Sequence, residues 1–392
     1  TLHRIFCFVD PNGLAAICLV SHRTRAIVEP ILYASPRAEC PTRVLLLVRT
    51  LLARSDLARY VKRLLLSLDG SDLGDGLGVR YLPSLLRKIK LLFEGDALHN
   101  LNELIWSARG ETGWALPNSE NSFPRLTRFS TTASSLSLVP FLTTHPSISR
   151  LTLHSHGHAL RLPANALPRL THLACAASAL SRLPVRKLKH VILIDAPFIP
   201  LLGGDVLSVL GGDRSHREFG RGWRDASPAP DHVESLRSIT LRLGHVIISP
   251  LQAPLILEPF ARHVPALRKL GIVAGPNFFT PAILESLTPV LEGFTELETI
   301  HMECNAEPDS PILIGSPSGG CVSPEGGCSP HGTGTPLEEM PAAMGKYNPL
   351  GNGASPPSAE ETRVIIQAWR DACPSIENVR LPWWTSGRAR AT

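Results

Sequence analysis

Aromatic residues are scarce in this chain of 392 residues, with Phe, Trp and Tyr together making 6%. That disfavours the stacking platforms that single-stranded nucleic acid needs. Strong charge is lacking as well. The formal net charge is +5, the pI is near 8.8 and charged residues are 19%, so the balance does not argue for a nucleic-acid partner. The eight cysteines are scattered and form no Cys-x-x-Cys pair, and a chain with an adequate core does not need disulfides. No Asn-x-Ser/Thr sequon occurs. No apolar run reaches the about eighteen residues of a membrane span, so no membrane partner is expected. The opening residues do not read as a signal peptide, and a reducing compartment, cytoplasm and/or nucleus, is the consistent expectation. Chemistry is missing too: there is no Gly-x-Ser-x-Gly elbow, no Gly-x-x-x-x-Gly-Lys and no His-Glu-x-x-His. No catalytic, cofactor-binding or metal-binding set emerges, and the chain reads as a non-enzyme without a cofactor.

What is present is apolar: 43% of residues, enough for a sizeable core. Residues 2–33 read as three short amphipathic helices. Leu2, Ile5, Phe6 and Val9 share one helical face. Asp10-Pro11-Asn12-Gly13 is expected to stop that helix. The second, 14–20, is apolar nearly all round and should be buried. Ser21 can cap a third, which Pro30 is expected to interrupt before Ile31, Leu32 and Tyr33.

This stretch resembles an F-box. Ile5-Phe6, Val9-Asp10-Pro11, Leu14, Leu19-Val20-Ser21 and Arg23 stand at positions of that pattern, and Glu29-Pro30-Ile31-Leu32-Tyr33 is similar to the ending common in fungal members. The pattern's opening Leu-Pro is absent, as if the chain had been cut just upstream, and Thr24 stands where an aromatic is frequent. The resemblance covers under a tenth of the chain. It implies docking of a Skp1-like adaptor through Leu2, Ile5, Phe6, Pro11, Leu14 and Val20, and through that adaptor a cullin.

Further on, 43–61 continues helical around Val44, Leu47, Val48, Leu51 and Leu52, and 63–68 turns strand-like. Gly74, Gly76 and Gly78 lack the helix-opening spacing of a phosphate cradle. Then a unit recurs: apolar-Pro-x-Leu-x-x-Leu-x-Leu. Sharp copies begin at Phe123-Pro124, His145-Pro146, Leu167-Pro168, Val264-Pro265 and Cys373-Pro374; looser ones lie at 185–193, 233–241 and 294–302. The anchors Leu126, Ile148 and Leu170 are 22 residues apart, within the roughly 20–29 of leucine-rich repeats. The tail alternates as a strand, apolar residues inward and Arg, Thr, Lys or His outward. Pro281 to Leu291 reads as a helical filler.

Two insertions interrupt the array. Residues 211–232 carry four arginines around Trp223, and 305–360 hold ten Pro and ten Gly in 56 residues, a composition that predicts disorder. Five Ser-Pro pairs and Thr335-Pro336 in the latter could accept proline-directed phosphate. His154-Ser155-His156-Gly157-His158 offers alternating histidines, but without the four spaced ligands of a structural zinc site. A helix at 363–373 and a last strand ending in Leu381-Pro382-Trp383-Trp384 close the chain.

The expected organisation is α/β: a three-helix F-box-like segment at 1–35, an irregular leucine-rich-repeat-like solenoid at 36–304, the Pro/Gly/Ser-rich insertion at 305–360, and a last repeat at 361–392. The two resemblances together imply a substrate-recognition subunit of a ubiquitin ligase, a monomer within that complex, whose repeats hold a protein target. The rival expectation is a repeat scaffold outside any ligase, and beyond it an enzyme with an unrecognised site.

Overall fold

Alternation of apolar and polar residues produces a strand wherever the recurring unit ends. The computed structural model describes residues 2–68, 78–108, 111–119, 121–133, 136–154, 162–163, 165–176, 188–194, 236–244, 248–305 and 357–387. The chain begins with three helices, α1 (Leu2–Phe6), α2 (Pro11–Cys18) and α3 (His22–Leu32), followed by β1 (Arg37–Ala38), α4 (Pro41–Ala53), α5 (Ser55–Ala58), β2 (Arg63–Ser67), α6 (Gly78–Glu94) and β3 (Glu103–Ser107). Next come β4 (Arg128–Thr131), α7 (Val139–Thr144), β5 (Arg150–Leu153), β6 (His172–Ala176), β7 (His190–Ile194) and β8 (Ser238–Gly244). The chain closes with α8 (Ala253–His263), β9 (Lys269–Ala274), α9 (Pro281–Ser286), α10 (Thr288–Leu291), β10 (Thr299–Cys304), α11 (Ala359–Ala372), β11 (Asn378–Leu381) and β12 (Trp384–Gly387).

The fold is α/β, as expected. The twelve strands of the described residues form one sheet whose order is the order of the chain. Pairing is parallel from β1 through β11, and β12 returns antiparallel through the two-residue turn Pro382-Trp383. The register is continuous except at the end of β8, where it shifts against β9 between Arg242 and Gly244. One inward row runs Leu64, Leu104, Phe129, Leu151, Leu173, Val191, Ile239, Leu270, Ile300, Val379, and every member is buried. Three residues before each lies the anchor of the unit, among them Leu126, Ile148, Leu170, Leu267 and Ile376, also buried. The anchors fill the layer between the sheet and the returning chain.

The same crossing recurs at the start of each strand. One carbonyl accepts from two successive amides of the next strand: Thr127 from Ser149 and Arg150, Ser149 from Thr171 and His172, Thr171 from Lys189 and His190, Arg237 from Arg268 and Lys269. The backbone of each lead-in is thereby paired, as buried polar groups require.

Helices and 3-10 turns cover the inward face. Phe93 of α6 meets Trp106 of β3 edge-on at 6.2 Å and Phe123 at 5.3 Å, and Phe141 of α7 lies 4.7 Å from Phe129 of β4. Edge-on aromatic pairs of this kind add about 0.5–1.5 kcal/mol beyond the area they bury.

Several expectations are corrected. Asp10-Pro11-Asn12-Gly13 starts a helix instead of ending one: Pro11 occupies its first turn, where no amide is needed, and the Asp10 carboxylate accepts from the Gly13 N–H at 3.0 Å. Pro30 does not interrupt α3. Its missing N–H removes one bond in the last turn, and the Tyr33 N–H closes the helix on the Glu29 carbonyl at 2.9 Å. The filler at 281–291 is two helices, α9 and α10, because Pro289 sits in the first turn of the second. The last helix starts earlier than expected, at Ala359, where Ser358 and Glu361 cap each other's amides. Strand β3 was not anticipated. Gly74 and Gly76, the insertion at 211–232, residues 306–356 and His156 and His158 lie outside the described residues.

Candidate docking surfaces

The N-terminal helices are stitched together by small polar groups. Ser21 caps α3, its hydroxyl accepting from the Thr24 N–H at 3.1 Å while the Thr24 hydroxyl oxygen accepts from the Ser21 N–H at 3.1 Å. Thr24 Oγ1 also lies 3.1 Å from the Ile17 carbonyl, reaching from α3 back to α2. Sequence reading marked Thr24 only as a departure from a motif; here it is the residue that joins two helices. Glu29 ties the segment to the rest of the chain: one oxygen meets Arg25 at 2.7 Å and the other Arg54 at 3.7 Å, and Arg54 in turn grips Asp56. Tyr33 packs against the main core. Its phenol is pushed up by partial burial and by the Glu29 charge. Burial and Glu29 likewise raise the Cys18 thiol.

This segment buries little of its own apolar surface. The expectation that 14–20 is buried is corrected: Leu14 is 5% exposed, whereas Leu19 is 89% and Val20 74% exposed. Of the six residues singled out for adaptor docking, Leu2, Ile5, Pro11 and Val20 are exposed, Phe6 is half-buried, and Leu14 faces inward. Phe8, 92% exposed, was missed because α1 ends at Phe6 and the helical spacing that selected Val9 does not apply beyond it.

The second surface is the outward face of the sheet. Its first row, in unbroken register, is Arg63, Glu103, Arg128, Arg150, His172, His190, Ser238, Lys269, Thr299, Asn378. The row above it is Thr152, Ala174, Ile192, Thr240 and Gly271, small except at Ile192. At Gly271 a Cβ would lie 2.7 Å from the Thr240 hydroxyl. Charges segregate along the first row. Glu103 sits between Arg63 at 3.4 Å and Arg128 at 3.6 Å, and Arg268 meets Glu296 and Glu298. Between these paired ends the His172 and His190 rings stack, centroids 4.4 Å apart and planes 23° from parallel. Partial burial, then His190 and the cations Arg150, Lys189 and Arg128, hold His172 down at about 4. Partial burial and the cations led by Lys269 and Arg150 lower His190.

Among the described residues no group of three or more His, Cys, Asp or Glu side chains could hold a metal ion, and no helix is long and apolar enough to cross a membrane. His154, from the histidine tract, has its Nε2 3.4 Å from the Ser130 hydroxyl. Trp383 packs edge-on against Phe279 at 5.9 Å and its Nε1–H reaches the Thr362 hydroxyl at 3.4 Å, which makes it part of the closing packing. No protein-family model and no curated protein matches this sequence.

Proposed function

We propose that the chain is a substrate-recognition subunit of a Skp1–cullin–F-box ubiquitin ligase. In this reading α1–α3 form an F-box that docks a Skp1-like adaptor, and the sheet is a leucine-rich-repeat-like solenoid that holds a protein target. The chain itself catalyses nothing; it raises the effective concentration of the target near the transferring enzyme. One observation carries the reading. Leu2, Ile5, Phe8, Leu19 and Val20, all within twenty residues, are exposed large apolar side chains, in a segment that buries only Leu14 among residues 2–20. A concentration of that kind marks a surface awaiting a partner. The one-strand-per-unit order supports the repeat half of the reading, since each unit buries its face only against its neighbours.

Capture of purified Skp1 by the full chain tests it. Ile5→Asp and Val20→Asp place charge on exposed positions and are expected to abolish capture while the melting temperature holds. Leu14→Asp is unsuitable, because it charges a buried side chain. Capture that persists in both exposed variants would overturn the assigned interface. No capture by the unaltered chain would leave the rival reading, a repeat scaffold outside any ligase.

A further inference from the structure

Among the described residues, the middle of the outward sheet face carries cations without counter-charges. Arg150, Lys189, Arg237 and Lys269 are exposed and, among the described residues, none makes an ion pair. Among the described residues the carboxylates on this face stand toward its two ends, where Glu103, Glu296 and Glu298 already hold arginines and Glu303 of β10 lies 3.2 Å from His301 Nε2. The charged groups that act on the stacked histidines are cationic, Arg128, Arg150 and Lys189 on His172 and Lys269, Arg150, Lys189 and Arg237 on His190, while the neutral Thr171 hydroxyl lies 2.9 Å from His172 Nδ1. Like charges left together at such a site repel one another, and an anionic partner would relieve that repulsion.

We propose that the outward face of β5–β9 binds an acidic segment of a polypeptide laid across the strands, its carboxylates meeting Arg150, Lys189, Arg237 and Lys269 over the His172–His190 stack. This deepens the reading of the sheet as a target-holding surface and rests on it. Four strand spacings of about 4.8 Å span roughly 19 Å, the length of about six extended residues. In the row above, Thr152 and Ala174 on one side of Ile192 and Thr240 and Gly271 on the other are small and leave room for the segment's backbone to lie close. A polypeptide fits better than a nucleic acid, because neither of the first two outward rows between β4 and β9 presents a Phe, Tyr or Trp on which bases would stack.

The test is fluorescence anisotropy with the full chain and no adaptor. Labelled hexaglutamate is compared with hexaglutamine and with an oligothymidylate of similar length. Saturable binding of hexaglutamate that weakens with salt, with no binding of hexaglutamine, is the expected result. The double variant Arg150→Gln/Lys269→Gln should bind about tenfold more weakly, the order expected for two exposed charge contacts. Arg49→Gln/Arg262→Gln, cations elsewhere on the surface, should bind as the unaltered chain does. Equal binding by both double variants, no binding of hexaglutamate, or tighter binding of the oligothymidylate would each overturn the proposal. Skp1 capture, measured separately on the same variants, reports on the N-terminal reading and is expected to be unaffected, so the two failures are distinguishable.

Discussion

The indole N–H of Trp369 donates to the backbone carbonyl of Leu284 at 3.0 Å, joining the last helix to α9 across 85 residues of sequence. The ring is fully buried. The neighbouring Cys373 thiol reaches the Phe294 carbonyl at 3.2 Å, so the closing unit is anchored by side chain to backbone as well as by strand pairing. Trp369→Phe keeps most of the volume but leaves the Leu284 carbonyl with only the Leu287 N–H at 3.3 Å, at a cost of about 0.5–1.5 kcal/mol, the net worth of one hydrogen bond. Trp369→Ala adds a cavity and should cost about 3–5 kcal/mol. Urea unfolding checks both; an unchanged stability in Trp369→Phe would show that the hydrogen bond contributes nothing separable.

His172 supplies a pH signature. Its ordinary value is 6.5 and the fold holds it at about 4, so between those values the folded chain binds fewer protons than the unfolded one. Its contribution to stability is therefore fully present above about 6.5 and lost as the pH falls toward about 4. His190 shifts in the same direction. Both rings are half-buried, and the solvent that reaches them screens the charges and keeps the effect small. The loss in unfolding midpoint between about pH 7.5 and about pH 5 should be smaller in His172→Gln than in the unaltered chain; an identical loss would show that the stack does not resist protonation.

Gly271 faces Thr240 across β8 and β9, where an added Cβ would lie 2.7 Å from the hydroxyl and 3.0 Å from the methyl. Gly271→Ala should destabilise by about 1–2 kcal/mol, as overpacking does. Thr240→Ala removes the obstructing atoms, so the double variant should recover most of the loss. A thermal-melt double-mutant cycle reads the coupling directly; strictly additive effects would mean that the two side chains do not compete for the space.

The strands were legible because two signals coincide in them. In His145 to Leu153 a proline ends the preceding segment and alternation follows at once, and β5 lies where that pattern puts it. Strand β3 has the same apolar spacing, with Leu98, Leu101, Leu104 and Trp106 all buried, but no proline announces it. The hairpin partner β12 was read only as a terminal aromatic pair, since Pro382-Trp383 makes a turn whose returning strand has no alternation to reveal it. In the N-terminal helices composition misled. An apolar run nearly all round predicts full burial only if something surrounds it, and α2 ends at Cys18 and packs chiefly on α3, so Leu14 is covered while Leu19 and Val20, in the turn that follows, are not. The cationic strip could not be foreseen. His172 and His190 stack because two strands eighteen residues apart pair in one register, and net charge says nothing about which side chains a register brings together.

That register has a consequence for how freely the chain can vary. The first outward row steps from His172 to His190 over 18 residues and from Thr299 to Asn378 over 79 (378 − 299), yet both steps are ordinary parallel neighbours in the same ladder. The difference in closing the two connections is only about 1 kcal/mol on a logarithmic scale of loop length. Segment length and surface pattern are therefore nearly independent properties here. A connection can grow, shrink or be replaced without moving the outward residues out of line, so a lineage could alter what the back of the array carries while the face that meets a partner stays in place.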